Sequence, residues 1–529
     1  MSTLYDKAIN YDASIRYDDI RTGFGKYNVY VDWNNDGDFS DSNEDISADV
    51  TAVTARLGRN FASQLTGEAV AGTMSVTVRN ETGKYSPFNT SGALYGNLVP
   101  NRKIQFSSYY PSVTILWTGF VESINPEVSS DKRQVAVITA RGAFRRFSQQ
   151  NIRVPMSTST TTGTAIGAVL DAAGWASSDR SIDTGKTTMT RFFYTGAALT
   201  GLRQVEHTEA GFVKETKDGK IAFEDRHHRL ETARSNTSQA TFADDGTGLS
   251  YTHIRQEDAM GLVYNEFLSP ISVYTVASVA ALWTHAFANT GGTAPALEDG
   301  ESITILAEYP NETSANNVVG VETWTTPAAT TDYLANTAAN GTGSNKTSDL
   351  SISTVKTSKN MEVTITNGAG VKVYLTKFQA RGTAVTISDP ATIKTSDAAS
   401  QTKYGKRTYP RNDEAKFVPT QEEAQDWCLQ SLNAHKEPTA TLELTFAANQ
   451  SNATLSEALA REISDRITIK ANNNVKFGID RDFYVEAIIH RIGIAGTHTT
   501  SYLLSDTGGF SGFWVLGKSA LGIDTRLTY

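Results

Sequence analysis

Between Ala69 and Phe106 the chain reads 69-AVAGTMSVTVRNETGKYSPFNTSGALYGNLVPNRKIQF-106, and its periodicities decide the fold class. In 73-TMSVTVRN-80, Met74, Val76 and Val78 alternate with polar residues, which is the period-two pattern of a strand with one face in a core. Glycine, proline and asparagine then break the pattern, with Gly83 and Pro87 placed to terminate strands, before 103-KIQFSSYY-110 alternates again. The same reading extends outward to the apolar run Lys26–Trp33, to 49-DVTAVTARLG-58, to 115-ILWTGFVESI-124 and to 134-QVAVITARG-142. Short strands at this regular spacing predict a small barrel or sandwich over residues 1–150.

The whole chain is mainly β and multidomain on the same grounds. Its 529 residues exceed what one core organises. Thr, Ser, Gly, Asn and Val are abundant, and long helical periodicities are few. A formal net charge of −9 argues against a protein that grips phosphate backbones, since that affinity comes from clustered Lys and Arg. The single cysteine, Cys428, excludes an intrachain disulfide and a Cys-cluster zinc site. Apolar runs fall short of a membrane span, and the start MSTLYDKAINYDA lacks the basic and apolar regions of a secretory signal, so a soluble chain made without Sec-type export is expected.

Beyond residue 150 the period changes. In 161-TTGTAIGAVLDAAGW-175, Ile166, Val169, Leu170 and Ala173 recur at helical spacing and Gly174 is placed as a stop; a second helix is expected near 197–210. The stretch 211-GFVKETKDGKIAFEDR-226 reads as a hairpin turning at Asp218-Gly219, so 151–230 is an α+β unit. Alternation at 301-ESITILAEY-309, 361-MEVTITN-367 and 371-VKVYLTKFQARG-382 predicts an inserted Ig-like β-sandwich over 269–395, with 334–349 as a long loop. A capping box of Thr420 and Glu423 opens a helix whose inner face carries Ala424, Trp427, Cys428, Ser431 and Leu432; a second, Thr454 with Glu457, opens a shorter one. Cys428 is therefore expected as a packed core thiol.

One loop carries a metal-ligand spacing. In 31-VDWNNDGDFSDSNEDI-46, Asp32, Asn34 and Asp36 fall at positions 1, 3 and 5 and Gly37 at 6 of an EF-hand-like series. Hard Ca²⁺ takes six to eight oxygens, and alternate residues of a tight loop aim carboxylates inward while glycine takes the sharp turn. Asn43 stands where an EF-hand has its bidentate Glu, with Glu44 just behind. Two readings stay open: a structural Ca²⁺ held by Asp32, Asn34, Asp36, Asp38 and Glu44, or an acidic surface turn between strands. Neither is catalytic. Elsewhere the adjacent His227 and His228 follow a strand, where exposed turn histidines are expected over a metal site, and the trio Glu206, His207 and Glu209 is not expected to form an acid–base cluster, because successive helix positions point apart. No catalytic residues are expected.

The order of these segments resembles the tail hub proteins of siphophages, also called minor tail proteins or tail-tip and baseplate hub proteins. In that family a strand ends in Asn-x-x-Gly-x-Tyr-Ser-Pro, matched here by Asn80, Gly83, Tyr85, Ser86 and Pro87, and reaches Leu-x-Pro-x-Arg, matched by Leu98, Pro100 and Arg102. Further matches are Leu170, Gly174 and Trp175; Glu209, Gly211, Asp218 and Gly219; Ser400, Tyr404 and Gly405; Asp465 and Arg466; and the closing Trp514, Leu516, Gly517, Leu521 and Gly522. The Asp-rich loop and the inserted sandwich depart from the family pattern. The resemblance implies two barrel-like hub domains, the first at 1–150 and the second from 231–268 with 396–529. It also implies a homotrimer that closes the distal end of a phage tail, adapts a six-fold tube to a three-fold tip and opens for DNA ejection. The implied partners are a distal tail ring, the tape-measure protein and tail fibre or central spike proteins, with genomic DNA only as cargo. The implied location is the virion tail tip, assembled in the host cytoplasm. Two rival functions are a tail-associated cell-wall hydrolase and a carbohydrate-binding adhesin using Trp283, Trp324 and Tyr333 of the 269–395 module; for these aromatics the competing reading is burial in a core.

Overall fold

The computed structural model describes residues 26–59, 68–109, 112–128, 134–258, 260–285, 287, 294–311, 314–388, 391–411, 414–493, 496–507, 513–514 and 526–527. The opening MSTLYDKAINYDA and, of the closing matches, Leu516, Gly517, Leu521 and Gly522 lie outside the described residues.

Alternating sequence produces alternating burial. In the strands β1 (Lys26–Val31), β2 (Val50–Gly58), β3 (Thr73–Arg79), β4 (Lys103–Tyr109), β5 (Val113–Val128) and β6 (Gln134–Arg141), one side of the pleat is buried. Val29, Val31, Val76, Val78, Ile104, Phe106, Trp117 and Ile138 are at most 1 % exposed. These strands pair antiparallel in the order β1-β4-β5-β6-β3-β2. The family-like segment between β3 and β4 is a chain of turns pinned by Asn80, whose side chain accepts the Tyr85 N–H at 2.9 Å and donates to Ser86 Oγ at 3.0 Å. Tyr85 is fully buried, and its hydroxyl donates to Asp49 at 2.5 Å.

A second set of six strands lies far along the chain: β7 (Ser238–Ala243), β8 (His253–Asp258), β9 (Ala440–Ala447), β10 (Arg466–Ala471), β11 (Ile479–Ile492) and β12 (His498–Asp506). They pair in the order β11-β12-β9-β8, with β10 on β11 and β7 parallel on β10. Phe242, Leu444, Phe446, Ile467, Phe483 and Tyr502 form their core. The two sets are one sheet, because β2 pairs antiparallel with β11 from Val53↔Ile492 to Gly58↔Ala487. The mainly β, multidomain architecture thus takes the form of a continuous twelve-stranded ladder, with β1 hydrogen-bonded to β4 alone among the named strands.

Helices Thr162–Ala172 and Ala198–Glu209 and the hairpin of Phe212–Glu215 with Ile221–Glu224 form where the spacing predicts them. Gly174 takes φ +68° just past the first helix, and Gly219 takes φ +85° in the hairpin loop. Their buried residues Ile166, Leu170, Leu202 and Val213 join the same core as β1–β6. In the 269–395 region, strand Val373–Ile387 binds five others, and it packs face to face on the sheet of Ser302–Glu308, Leu350–Lys356 and Asn360–Asn367 through Trp324, Met361, Val363 and Phe378. The 334–349 loop is held by its own bonds, Asn336 Nδ2 donating to Gly341 O and Gly343 O. Strand Glu266–Ile271 pairs with Ala391–Ser396 and Thr408–Pro410 instead of the large sheet, beneath helix Gln421–His435.

That helix is capped by Thr420, which accepts the Glu423 N–H, and Ala424, Trp427, Cys428 and Leu432 are buried on its inner face. Burial pushes the Cys428 thiol up to about 11, which fits a packed, unreactive sulfur. The shorter helix corrects the sequence expectation. It spans Asn452–Ala460 and is capped by Ser451, with Thr454 in the third position returning the bond to the Ser451 N–H. A threonine hydroxyl supplies the reciprocal bond expected of a glutamate, so the helix starts earlier. Glu457 is buried instead and ion-pairs with Arg461 at 3.0 Å.

Candidate functional site at the junction of two sheet modules

The two sets of strands meet at Glu486. Along one edge of β11, the pairing with β10 stops at Tyr484 and the pairing with β2 begins at Ala487. Glu486 is the extra residue of a register shift against β12. A bulge of this kind re-aims the side chain. Its carboxylate, 1 % exposed, accepts two bonds from Arg229, at 2.7 and 3.0 Å, and one from Ser505 at 2.6 Å. Arg59 lies 3.3 Å away and stacks its guanidinium 3.6 Å from the Phe212 ring centre. Burial alone would raise the Glu486 carboxyl; Arg229 and Arg59 outweigh it and hold it at about 2. The hairpin joins the same network through the buried Lys214–Glu224 ion pair, in which Glu224 also accepts Ser464 Oγ at 2.5 Å. A cavity of about 210 Å³ opens beside it, lined by Arg59, Arg226, Arg229 and Arg411 with Glu224 and Trp427 among others.

A second link crosses from β1. Tyr27 Oη is hydrogen-bonded to His498 Nδ1 at 2.8 Å, and His498 Nε2 to His490 Nδ1 at 3.0 Å. Both imidazoles are buried. Burial brings His498 down to about 3 and, with His498 and Lys217, puts His490 well below its ordinary 6.5. The lowered values mean that the unfolded chain takes up these protons first. The stabilisation is therefore complete above the unfolded value of 6.5 and is lost as pH falls toward 3. At about 1.4 kcal/mol per pH unit for each imidazole, the thermal midpoint is expected to fall steadily on acidification from neutrality, and His498→Gln is expected to flatten that slope in calorimetry. Parallel slopes for the two proteins would assign the acid sensitivity elsewhere.

The Asp-rich loop joins β1 to β2. The Asp32 carboxylate accepts the N–H groups of Asn35 at 2.5 Å, Asp36 at 3.2 Å and Gly37 at 3.0 Å, and Asn35 and Gly37 take φ of +64° and +101°. This winding brings carboxylate oxygens of Asp32, Asp36 and Glu44 within 4.8 Å of one another. Asn34 Nδ2 donates to Asp36 at 2.9 Å and to Asp41 at 2.5 Å. Asp38 is not among the converging carboxylates; it accepts Ser40 N at 2.8 Å in its own turn. Asp41 was not singled out by spacing, and its position is set by the Asn34 bridge and by its N–H on Glu44 Oε2 at 3.0 Å.

The helical trio faces three different ways. Glu206 accepts Val213 N at 2.8 Å, His207 meets Glu68 at 2.6 Å, and Glu209 accepts Thr162, Lys186 and Thr187. His228 lies 2.7 Å from Asp183. In the sandwich, Trp324 and Tyr333 are 4 % and 7 % exposed, which places these two aromatics of the adhesin reading in the interior, while Trp283 is half-buried against the same core.

No protein-family description and no curated sequence matches the chain. Solved structures do. The chain is similar to the 43 kDa tail protein of prophage MuSo2 from Shewanella oneidensis, with 9 % identity and a TM-score of 0.44 over 92 % of this chain and 99 % of that one. It is similar to the tail protein from Neisseria meningitidis MC58, with 9 % identity and a TM-score of 0.47 over 91 % and 97 %. Both are tail proteins. The E. coli c3393 protein, described as a type VI secretion component resembling T4 tail proteins gp27 and gp5, aligns at 7 % identity and a TM-score of 0.37 over 87 % and 73 %. Likeness at this level leaves the roles of this chain's residues to its own geometry.

Proposed function

We propose that the chain is a structural protein of a phage tail, the trimeric hub that closes the distal end, adapts a six-fold tube to a three-fold tip and opens for DNA ejection. The observation that carries this reading is that one chain supplies two six-stranded modules joined edge to edge in a single sheet. Three copies about an axis then present their modules at pseudo-six-fold positions. The buried Glu486 network supports it, since a module pair that bridges two symmetries must keep a fixed relative orientation. The net charge of −9 supports a lumen through which DNA slides without sticking. On this reading the role is mechanical and not enzymatic. The partners are the distal tail ring, the tape-measure protein and a fibre or spike, and the location is the tail tip, with assembly in the host cytoplasm.

Light scattering on the full chain is expected to return a trimer, with rings in electron micrographs; a monomer without rings would overturn the hub. Phe88, 96 % exposed, and Tyr95, 54 % exposed, stand out on the turn segment between β3 and β4. An aromatic left so bare on one chain fits burial against a second copy. Phe88→Asp is expected to shift the trimer toward monomer while leaving the circular dichroism spectrum unchanged. A Phe88→Asp protein that remains fully trimeric would remove this loop from the interface.

A further inference from the structure

We propose that the loop between β1 and β2 binds one Ca²⁺ ion through Asp32, Asp36 and Glu44, and that the ion locks β1 to the seam strand β2. Two independent observations carry it. The first is the convergence of the three carboxylates within 4.8 Å. Like charges at this separation repel, and either protonation of one carboxyl or a cation between them relieves it. None of the three makes an ion pair with Lys or Arg among the described residues.

The second is the state of Glu44. Its side chain is 1 % exposed, and Oε2 accepts the Asp41 N–H at 3.0 Å. Oε1 is buried and accepts no hydrogen bond from the described residues. A buried carboxylate oxygen with no donor is costly to maintain, and groups of this kind are ordinarily satisfied by protein, water or an ion. The donor side chain of this loop, Asn34, gives its Nδ2 to Asp36 and Asp41, which leaves a cation to complete the site at Oε1.

The donor set selects the ion. All candidate ligands are oxygens, which suits hard cations and disfavours zinc and copper. The loop is irregular, with left-handed residues at Asn35, Gly37 and Asn43, and the Asp41 carboxylate, which accepts Asn34 Nδ2, is a neighbouring oxygen. Calcium accepts such a flexible cage of six to eight oxygens, whereas magnesium demands a near-ideal octahedron and retains its waters. Binding would act on the strands, because the loop is tied to them: Val31 N donates to Glu44 O at 2.9 Å, Ile46 N to Val29 O at 3.0 Å, and Trp33 Nε1 to Asn43 O at 3.1 Å.

The test uses the metal-stripped full chain, titrated with Ca²⁺ and with Mg²⁺ in a calorimeter and with Tb³⁺ by luminescence. Trp33, 2 % exposed and bonded within the loop, is placed to sensitise a terbium ion there. One Ca²⁺ per chain is expected, tighter than Mg²⁺, with Ca²⁺ quenching the terbium emission and raising the thermal midpoint. Asp36→Asn and Glu44→Gln are each expected to weaken Ca²⁺ by about tenfold or more, while Asp38→Asn leaves it unchanged. Asp36 is exposed, so its variant keeps the fold and decides the matter if Glu44→Gln does not fold. Absence of Ca²⁺ heat and terbium emission at millimolar ion, or Ca²⁺ affinity unchanged in Asp36→Asn, overturns the proposal.

Discussion

Replacing Glu486 by alanine is expected to destabilise the chain by about 3–5 kcal/mol, the cost of removing one partner from a buried ion pair. Glu486 is the carboxylate shared by Arg229, which binds it through both terminal nitrogens, and Arg59. Removing it leaves two mostly buried guanidiniums near one another. Arg229 keeps its place over the Tyr484 ring at 4.5 Å, but an aromatic face does not replace a bidentate carboxylate. Glu486→Gln retains the volume and loses the charge, so it is expected to fall between wild type and alanine. The measurement is equilibrium unfolding in urea. The loss should persist at high salt, because a buried pair is screened far less than an exposed one. A cost under about 1 kcal/mol would place the pair with exposed ion pairs instead.

Gly58→Ala is expected to cost roughly 3 kcal/mol or more, from left-handed strain together with backbone overlap. A Cβ at Gly58 would stand 2.2 Å from the Glu486 carbonyl oxygen and 2.5 Å from Ala487 Cα, at a backbone φ of +113°. Both obstacles are main chain, so no side-chain rotation relieves them. β2 would have to withdraw from β11 at the point where the two modules become one sheet. Gly246→Ala is the control: its φ is +79°, but none of the described residues lies within 4 Å of the added Cβ, so it bears the conformational strain alone. If Gly58→Ala unfolds at the same denaturant concentration as Gly246→Ala, the close approach at the seam carries no energetic weight. On the hub reading the same substitution should also broaden or abolish the ring in micrographs, since the modules lose their fixed orientation.

Much of the secondary structure was legible because its causes are local. Met74, Val76 and Val78 face the core because a pleated strand sends alternate side chains to one side. Thr420 starts a helix because its side chain accepts the otherwise unbonded Glu423 N–H. The error at Thr454 has the same root. Ser451 and Thr454 satisfy each other, and spacing rules tuned to a glutamate in the third position overlooked a hydroxyl that does the same.

The candidate sites were legible in part. The spacing of Asp32, Asn34 and Asp36 announced a winding loop, and Asp32 and Asp36 do converge. That Glu44 joins them while Asp38 turns to Ser40 depends on the left-handed turn at Asn43 and on the pairing of Val31 with Glu44, which only the folded loop supplies. The Glu486 junction left no local trace. A glutamate in a strand reads as solvent-facing, and its burial follows from a bulge and from two arginines brought in by remote segments.

Periodicity, turn chemistry and caps, all encoded within a few residues, thus settled a mainly β, multidomain chain from sequence alone. Which strands share an edge was decided only in three dimensions: β2 meets β11 because Gly58 admits the backbone of Glu486 and Ala487, and charge buried there is stable because its partners arrive from elsewhere in the chain.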